Sequence, residues 1–146
     1  MTTPHLAIVL SRFNPEVTSG LLNGALAHLA EHGIIAPQIY HAPGAFEIPL
    51  IAKALAQSGR YDGVICLGCV IKGDTAHFEY ISLGATMGLM TASLDTGVPL
   101  TFGILTTYSD EQAVVRSRDD AHNKGREAAA ACVEALETLT AIRQAV

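Results

Sequence analysis

The sequence has few charged residues and no concentration of positive charge. Only 16% of its 146 residues are charged and the net charge is −5, whereas a typical soluble domain has about 25% charged residues. No cluster of Lys and Arg is present, which argues against a nucleic-acid surface or a polybasic membrane patch. We therefore expect no nucleic-acid partner, and any anionic ligand must be held by a few local groups.

Long apolar runs and a basic leader are also missing. No stretch of about 18 uninterrupted apolar residues exists, and residues 1–5 lack the positive charge of a signal peptide. We therefore expect a cytoplasmic protein with no membrane partner. The apolar content of 49% and the mean hydropathy of +0.32 favour a homo-oligomer that hides part of the surface. At this length, residues 1–146 are expected to form one domain.

Three cysteines are too few for a disulfide framework, but Cys66 and Cys69 form a C-x-x-C motif. In a redox protein such a pair opens a helix, whereas this pair lies in the uncharged run 63–71, which is typical of a buried strand. Three residues along a strand place the side chains on opposite faces, with Cα atoms about 10 Å apart and beyond disulfide reach. The spacing therefore disfavours a redox or metal site.

Apolar runs alternate with helical periodicity along the whole chain. Strands are predicted at 6–10, 39–42, 64–71 and 100–107. Helices are predicted from the segment after the first strand to Gly33, from about 47 to 58, after Thr75 to about 95, at 110–117, and from Asn123 onward. Four such βα units predict a parallel sheet covered on both faces, which is a three-layer αβα sandwich of the flavodoxin-like type.

The third predicted helix carries two stripes of apolar residues. Small residues recur along one stripe and larger ones along the other, at Leu83, Met87, Met90 and Leu94. One stripe can cover the sheet, so the other needs a partner, and the glycines of the small stripe permit a close helix approach. This pattern favours a contact between subunits.

The unusual residues of the chain fall where the predicted strands end. They are 13–14, 43–47, 72–77 and 106–108. In an open parallel sheet, ligands bind beyond the carboxyl ends of the strands, where helix N-termini point free N–H groups outward. We therefore expect a small-molecule site at this edge.

Residues 68–75 have the glycine spacing of a P-loop, but Asp74 stands where the phosphate-binding lysine belongs. Nucleotide hydrolysis is therefore disfavoured, although the backbone amides of Asp74 and Thr75 could still bind one phosphate. His77, expected one turn into the helix, is either a proton-transfer group or a surface histidine. His28 and His32 are spaced as a metal pair, but with no third ligand nearby in sequence they are read as solvated.

Other candidates have an ordinary structural interpretation beside the functional one. Phe13 and Phe46 are either core residues or platforms that stack on a planar ligand. Glu47 is either a helix-starting acid or an acceptor for ligand hydroxyls. Three further charged residues near the last polar break are either solvated or functional: Arg116, Lys124 and Glu127.

Six motifs occur in the order and approximate spacing of a known family. They are Ser11–Asn14, Pro43–Pro49, Gly68–Tyr80, Phe102–Thr107, Glu111–Ala113 and Asn123–Gly125. Together they resemble 6,7-dimethyl-8-ribityllumazine synthase over nearly the whole chain. The resemblance implies the penultimate step of riboflavin synthesis, in which 5-amino-6-(D-ribitylamino)uracil and 3,4-dihydroxy-2-butanone 4-phosphate condense to the lumazine with release of phosphate and water. It implies no cofactor and no metal.

The resemblance also implies roles for individual residues. Phe13 would stack on the pyrimidine and Phe102 would close the site. His77 would move protons, and Arg116 would hold the phosphate together with the amides of Asp74 and Thr75. The remaining residues implied to line the ring and ribityl site are Ala45, Phe46, Glu47, Cys69, Val70 and Ile71.

The implied assembly is a pentamer with sites at its subunit interfaces, in which Phe102 and Arg116 come from the neighbouring subunit. The segment 117–122 departs from the glycine-containing stretch usual in the family, and the chain before the first strand is short. Both features bear on whether pentamers form a larger shell, which stays open.

Two other classes of function are compatible with the fold. One is a non-catalytic flavodoxin-like module that binds flavin or lumazine, but residues 13–15 lack the Ser/Thr/Gly-rich phosphate loop of a flavodoxin. The other is a protein whose main role is assembly.

Overall fold

The computed structural model describes residues 2–145, in which strands and helices alternate. The elements are β1 (Leu6–Ser11), α1 (Pro15–Glu31), β2 (Gln38–Ala42), α2 (Ile48–Gln57), β3 (Gly63–Ile71), α3 (His77–Thr96), β4 (Leu100–Thr107), α4 (Asp110–Arg116) and α5 (Lys124–Gln144). A 3-10 turn, Ala45–Glu47, leads directly into α2. The structure has no helix within 2–145 that is long and apolar enough to cross a membrane.

The four strands form one parallel sheet in the order β2-β1-β3-β4, which confirms the predicted flavodoxin-like α/β fold. β1 and β3 lie at the centre, and β1 is buried along its whole length. β2 is an edge strand in which only Ala42 is fully buried. The prediction of strands covered on both faces therefore holds at the centre of the sheet and fails at this edge.

Each face of the sheet has its own apolar core. On one face, α1, α4 and α5 pack on alternate strand residues that include Ile8 and Ile65. On the other face, α2 and α3 pack on the intervening residues, including Val9 and Val64. This arrangement is the predicted three-layer sandwich, and it results from the period-two alternation of side chains along each strand.

The C-x-x-C cysteines lie on opposite faces, as their spacing predicts, with Cys66 in the α2/α3 core and Cys69 in the α1/α5 core. Both are buried free thiols, as is Cys132 on α5. Burial raises the pKa of all three thiols, that of Cys69 to about 11 and that of Cys132 to about 12. The thiols are therefore protonated at neutral pH and unreactive.

The two stripes of α3 are used differently from the prediction. Ala85, Leu89 and Ala92 cover the sheet, while the glycines admit the neighbouring helix of the same chain. A Cβ on Gly84 would lie 2.7 Å from the ring of Phe46, and one on Gly88 would lie 2.8 Å from Pro49. The small residues therefore serve packing within the chain, and it is the large stripe that stays exposed, with Leu83, Met87, Met90 and Leu94 at 57–76%.

Candidate functional site

The loop after β1 is held against the ends of both neighbouring strands. Arg12 donates its backbone N–H to the Ala42 carbonyl at 3.0 Å, and the Asn14 amide donates to the Cys69 carbonyl at 3.0 Å. Asn14 adopts the left-handed conformation, with φ of 56°, which asparagine tolerates better than most residues. The sequence placed Asn14 in this loop but did not assign it this role, because its partner is 55 residues away.

Phe13, Gly44 and Glu47 converge beside this loop. A Cβ on Gly44 would lie 3.1 Å from the Phe13 ring and 3.3 Å from a carboxylate oxygen of Glu47, so glycine is what lets the ring approach the backbone. Phe13 is 66% exposed, and Glu47 is exposed as well. An aromatic face and a hydrogen-bond acceptor are therefore presented side by side at the carboxyl edge.

Phe46 lies between the 3-10 turn and α3. Its ring contacts Gly84 on one side and is 57% exposed, while its neighbour Ala45 is buried in the α2/α3 core. Phe46 is thus partly a packing residue and partly exposed, and its interpretation as a platform for a planar ligand stays a prediction.

The end of β3 presents different groups from those expected. The Cys69 side chain points into the α1/α5 core, and its carbonyl accepts from Asn14. Val70 and Ile71 are half-buried, with Val70 packing on the α2/α3 side and Ile71 on the opposite side. Val70 is the side chain of this trio on the same face as Phe46.

The loop 72–76 joins β3 to α3 and is exposed throughout. The Lys72 N–H donates to the Thr107 carbonyl at 2.9 Å, which ties the loop to the end of β4. The His77 N–H lies 3.3 Å from Oγ1 of Thr75, which accepts from it. The prediction that His77 lies one turn into the helix is wrong: His77 is the first residue of α3, because residues 74–76 form a turn. Asp74 and Thr75 therefore precede the helix.

Tyr108 flanks the strand-three loop, which is the loop 72–76. The sequence alone locates Tyr108 only as part of a loop. Tyr108 lies with its ring 6.0 Å from the Phe78 ring and 5.9 Å from Nζ of Lys72, both measured between or to ring centroids. Tyr108 follows β4 directly, so it links the last two strand ends at the same edge.

Phe102 is far from this edge within its own chain. It pairs with Cys66, whereas the end of β4 is marked by the pairing of Thr107 with Ile71. Five residues at about 3.3 Å each put Phe102 roughly 16 Å from the strand end. It is 44% exposed on the outer strand, so one chain does not bring Phe102 to His77.

Arg116 ends α4, which packs on the face opposite α3 through Ala113. Its guanidinium is exposed and donates to the Gln112 carbonyl at 3.0 Å. None of the ion pairs found among residues 2–145 includes Arg116. Its charge is thus available to an anion, and the chain by itself does not place it against the loop that carries His77.

Lys124 and Glu127 pair with each other on the first turn of α5, with 2.7 Å between Nζ and Oε2. The pair is half-exposed, so its contribution to stability is small. The structure therefore gives these two residues a local electrostatic role and no contact with the strand-three loop. Within the described part of the chain, no three His, Cys, Asp or Glu residues are grouped so as to hold a metal ion.

Comparison with known proteins relates the chain to one enzyme family. Residues 3–140 match the family model of 6,7-dimethyl-8-ribityllumazine synthase. A protein of Caulobacter vibrioides named 6,7-dimethyl-8-ribityllumazine synthase 1 is 66% identical over 97% of this chain and 94% of its own length.

Two further relatives named 6,7-dimethyl-8-ribityllumazine synthase come from other bacteria. The protein of Salinibacter ruber is 52% identical over 89% of this chain and 85% of its own, and that of Syntrophus aciditrophicus is 50% identical over 92% and 89%. With matches of this extent on the expected fold, the chain belongs to the 6,7-dimethyl-8-ribityllumazine synthase family.

Proposed function

We propose that the carboxyl edge of the sheet carries out the lumazine synthase reaction of riboflavin biosynthesis. In this reaction 5-amino-6-(D-ribitylamino)uracil and 3,4-dihydroxy-2-butanone 4-phosphate condense to the lumazine, releasing phosphate and water. The activity itself, that of a transferase, follows from family membership and from 66% identity to a named synthase. The observation that supports this location is the convergence of Phe13, Glu47 and the loop before His77 at one edge of the sheet.

The aminouracil is assigned to the side of the edge formed by the first two loops. Phe13 presents an exposed ring on which the planar pyrimidine can stack. Glu47 beside it accepts from ligand N–H or hydroxyl groups, and the partly exposed Phe46 forms the adjoining wall. The Ala45 side chain is buried, so Ala45 can line the site only through its backbone. The end of β3, residues 69–71, closes the floor mainly through the backbone and Val70.

The phosphate is assigned to the strand-three loop. The amides of Asp74 and Thr75 lie just ahead of α3, whose N-terminal dipole favours an anion. Arg116 adds a guanidinium that has no carboxylate partner among residues 2–145. The phosphate is then both an anchor for the ketone and, later, the leaving group.

His77 is assigned the proton transfers. The 5-amino group of the uracil attacks the ketone carbon, and the carbinolamine loses water to give an imine. Elimination of phosphate follows, and the ribitylamino nitrogen then attacks the remaining carbonyl and closes the ring with loss of a second water. Each step moves a proton, and imidazole both donates and accepts one near neutral pH. As the first residue of α3, His77 lies two residues from Thr75 and hence beside the assigned phosphate.

The complete site is proposed to form between subunits of a homo-oligomer, for which we adopt a pentamer. Two observations support an interface: Phe102 lies roughly 16 Å from the strand end of its own chain, and the large stripe of α3 is exposed. A neighbouring subunit would bring its Phe102 and Arg116 to the loop that carries His77. The sequence leaves open whether pentamers form a larger shell, and a cytoplasmic location stays a prediction from the sequence.

The proposal is tested by turnover of the two substrates after dialysis of the protein against a chelator. We expect lumazine fluorescence to rise together with released phosphate, without added metal or nucleotide. Binding of the lumazine product without any turnover would instead identify a binding module. Activity that is lost on dialysis and restored by a metal ion would contradict the metal-free mechanism.

A further inference from the structure

Asn123 opens the Asn123–Gly125 motif and is buried, with only 1% of its surface exposed. Its side-chain amide donates to the Gly20 carbonyl at 3.0 Å and to the Arg118 carbonyl at 2.9 Å. Its Oδ1 accepts the Arg126 N–H at 3.0 Å, which caps α5. One side chain thus joins α1, the segment after α4 and the start of α5.

Gly24 on α1 makes room for this side chain, and other glycines allow close backbone contact around it. A Cβ on Gly24 of α1 would overlap the Asn123 amide, and one on Gly125 of α5 would overlap the Leu21 carbonyl. A Cβ on Gly20 would overlap the Ser117 carbonyl in the same way. Three glycines therefore bring α1 into direct backbone contact with the end of α4 and with α5.

The residue that precedes Ser117 is Arg116. Ser117 N–H and Oγ both donate to the Val114 carbonyl, at 3.1 and 3.0 Å. These bonds fix the last turn of α4 where Ser117 contacts Gly20 of α1. Asn123 holds both sides of that contact, through the carbonyls of Gly20 and Arg118. The backbone position of Arg116 is set from within the protein, while its side chain stays exposed.

We propose that Asn123 is a positioning residue for Arg116: it holds the backbone from which the guanidinium reaches the phosphate substrate. This inference rests on the phosphate role assigned to Arg116 above. If it is correct, loosening Asn123 lowers the affinity for the phosphate substrate while the aminouracil side of the site, built from β1 and β2 loops, is unaffected.

The test compares Asn123→Ser with Val133→Ala. The serine hydroxyl can still cap α5 but is too short to span both carbonyls, whereas Val133→Ala removes buried volume from the same helix without touching the 117–122 segment. We expect KM for the phosphate substrate to rise about tenfold in Asn123→Ser, with KM for the aminouracil within twofold of the parent. Val133→Ala should lower Tm and leave both KM values unchanged.

A second variant moves the Asn123 side chain without changing its chemical groups. Gly24→Ala keeps the asparagine but displaces its amide, so it should reproduce the selective rise in KM. Asn123→Ser is also made in an Arg116→Ala background, where we expect no further rise, because the positioned group is gone.

The outcomes distinguish this inference from the proposed function. If Arg116→Ala weakens the phosphate substrate but Asn123→Ser raises both KM values equally, or neither, Asn123 is structural only and the inference is wrong. If Arg116→Ala itself leaves KM for the phosphate substrate unchanged, the phosphate role assigned to Arg116 is wrong, and the inference about Asn123 is wrong with it. An additive effect of Asn123→Ser in the Arg116→Ala background would also overturn the inference.

Discussion

Mixed oligomers provide the sharpest test of a site shared between subunits. His77 begins α3 on one face of the sheet, while Arg116 ends α4 on the other face. If each site takes His77 from one subunit and Arg116 from the next, His77→Ala subunits alone lack the proton-transfer group, and Arg116→Ala subunits alone bind the phosphate substrate weakly. Each variant alone should therefore have little activity when the phosphate substrate is well below its parent KM. Together they can build whole sites where their intact halves meet.

The size of the recovery follows from counting interfaces. In an equimolar random mixture, half of the subunits supply an intact His77 and half supply an intact Arg116. About a quarter of the interfaces therefore pair both intact residues, so activity should return to about a quarter of the parent level. A further quarter of interfaces carry both substitutions and contribute nothing.

The assay is lumazine formation after the two variants are unfolded together and refolded, beside each variant refolded alone. A mixture of His77→Ala with Glu47→Ala serves as the matched control, because both residues belong to the same half of the site and no interface can become whole. If the first mixture shows no more activity than its two components, His77 and Arg116 act within one chain and the shared site is wrong.

Three further predictions concern single groups. His77→Ala should lower kcat by about 10²-fold or more with little change in either KM, because a proton-transfer group acts mainly in the transition state. If steady-state kinetics show an unchanged kcat, His77 is a surface histidine. Arg116→Ala should weaken the binding of the phosphate substrate and of inorganic phosphate by about 1.5–3 kcal/mol. Equal weakening of aminouracil binding in isothermal titration calorimetry would refute the role of Arg116. The free energy of unfolding in urea should be insensitive to the thiols below about pH 8 and fall above it, because burial raises the pKa of Cys69 to about 11 and of Cys132 to about 12 while the unfolded thiols ionise near their ordinary pKa of about 8.5. A Cys132→Ala variant with the same alkaline slope as the parent would contradict this cause.

The sequence predicts the central architecture well because the signals there are local. β4 has the predicted bounds, since its apolar run is closed by a proline on one side and polar residues on the other. α3 ends where Gly97 adopts a left-handed conformation with φ of 70°, as the glycine predicts. The opposite orientation of Cys66 and Cys69 follows from strand geometry alone.

The misplaced features depend on contacts between distant residues. The use of Gly84 and Gly88 could not be read from their spacing, because the spacing does not show that Phe46 and Pro49 of the same chain occupy the space. The Asn14 bridge crosses 55 residues and the Asn123 bond to Gly20 crosses 103. The separation of Phe102 from the loops, by contrast, already follows from the predicted bounds of β4, because Phe102 lies five residues before the end of that strand.

The bridge from Asn14 to the Cys69 carbonyl also bears on how the proposed site would bind the aminouracil. It locks the loop bearing Phe13 to the central strand before any ligand arrives, so the stacking ring need not be recruited from a disordered segment. The entropic cost of ordering that loop therefore arises during folding and not during ligand binding. We therefore expect the planar heterocycle to associate rapidly and with little change in backbone conformation.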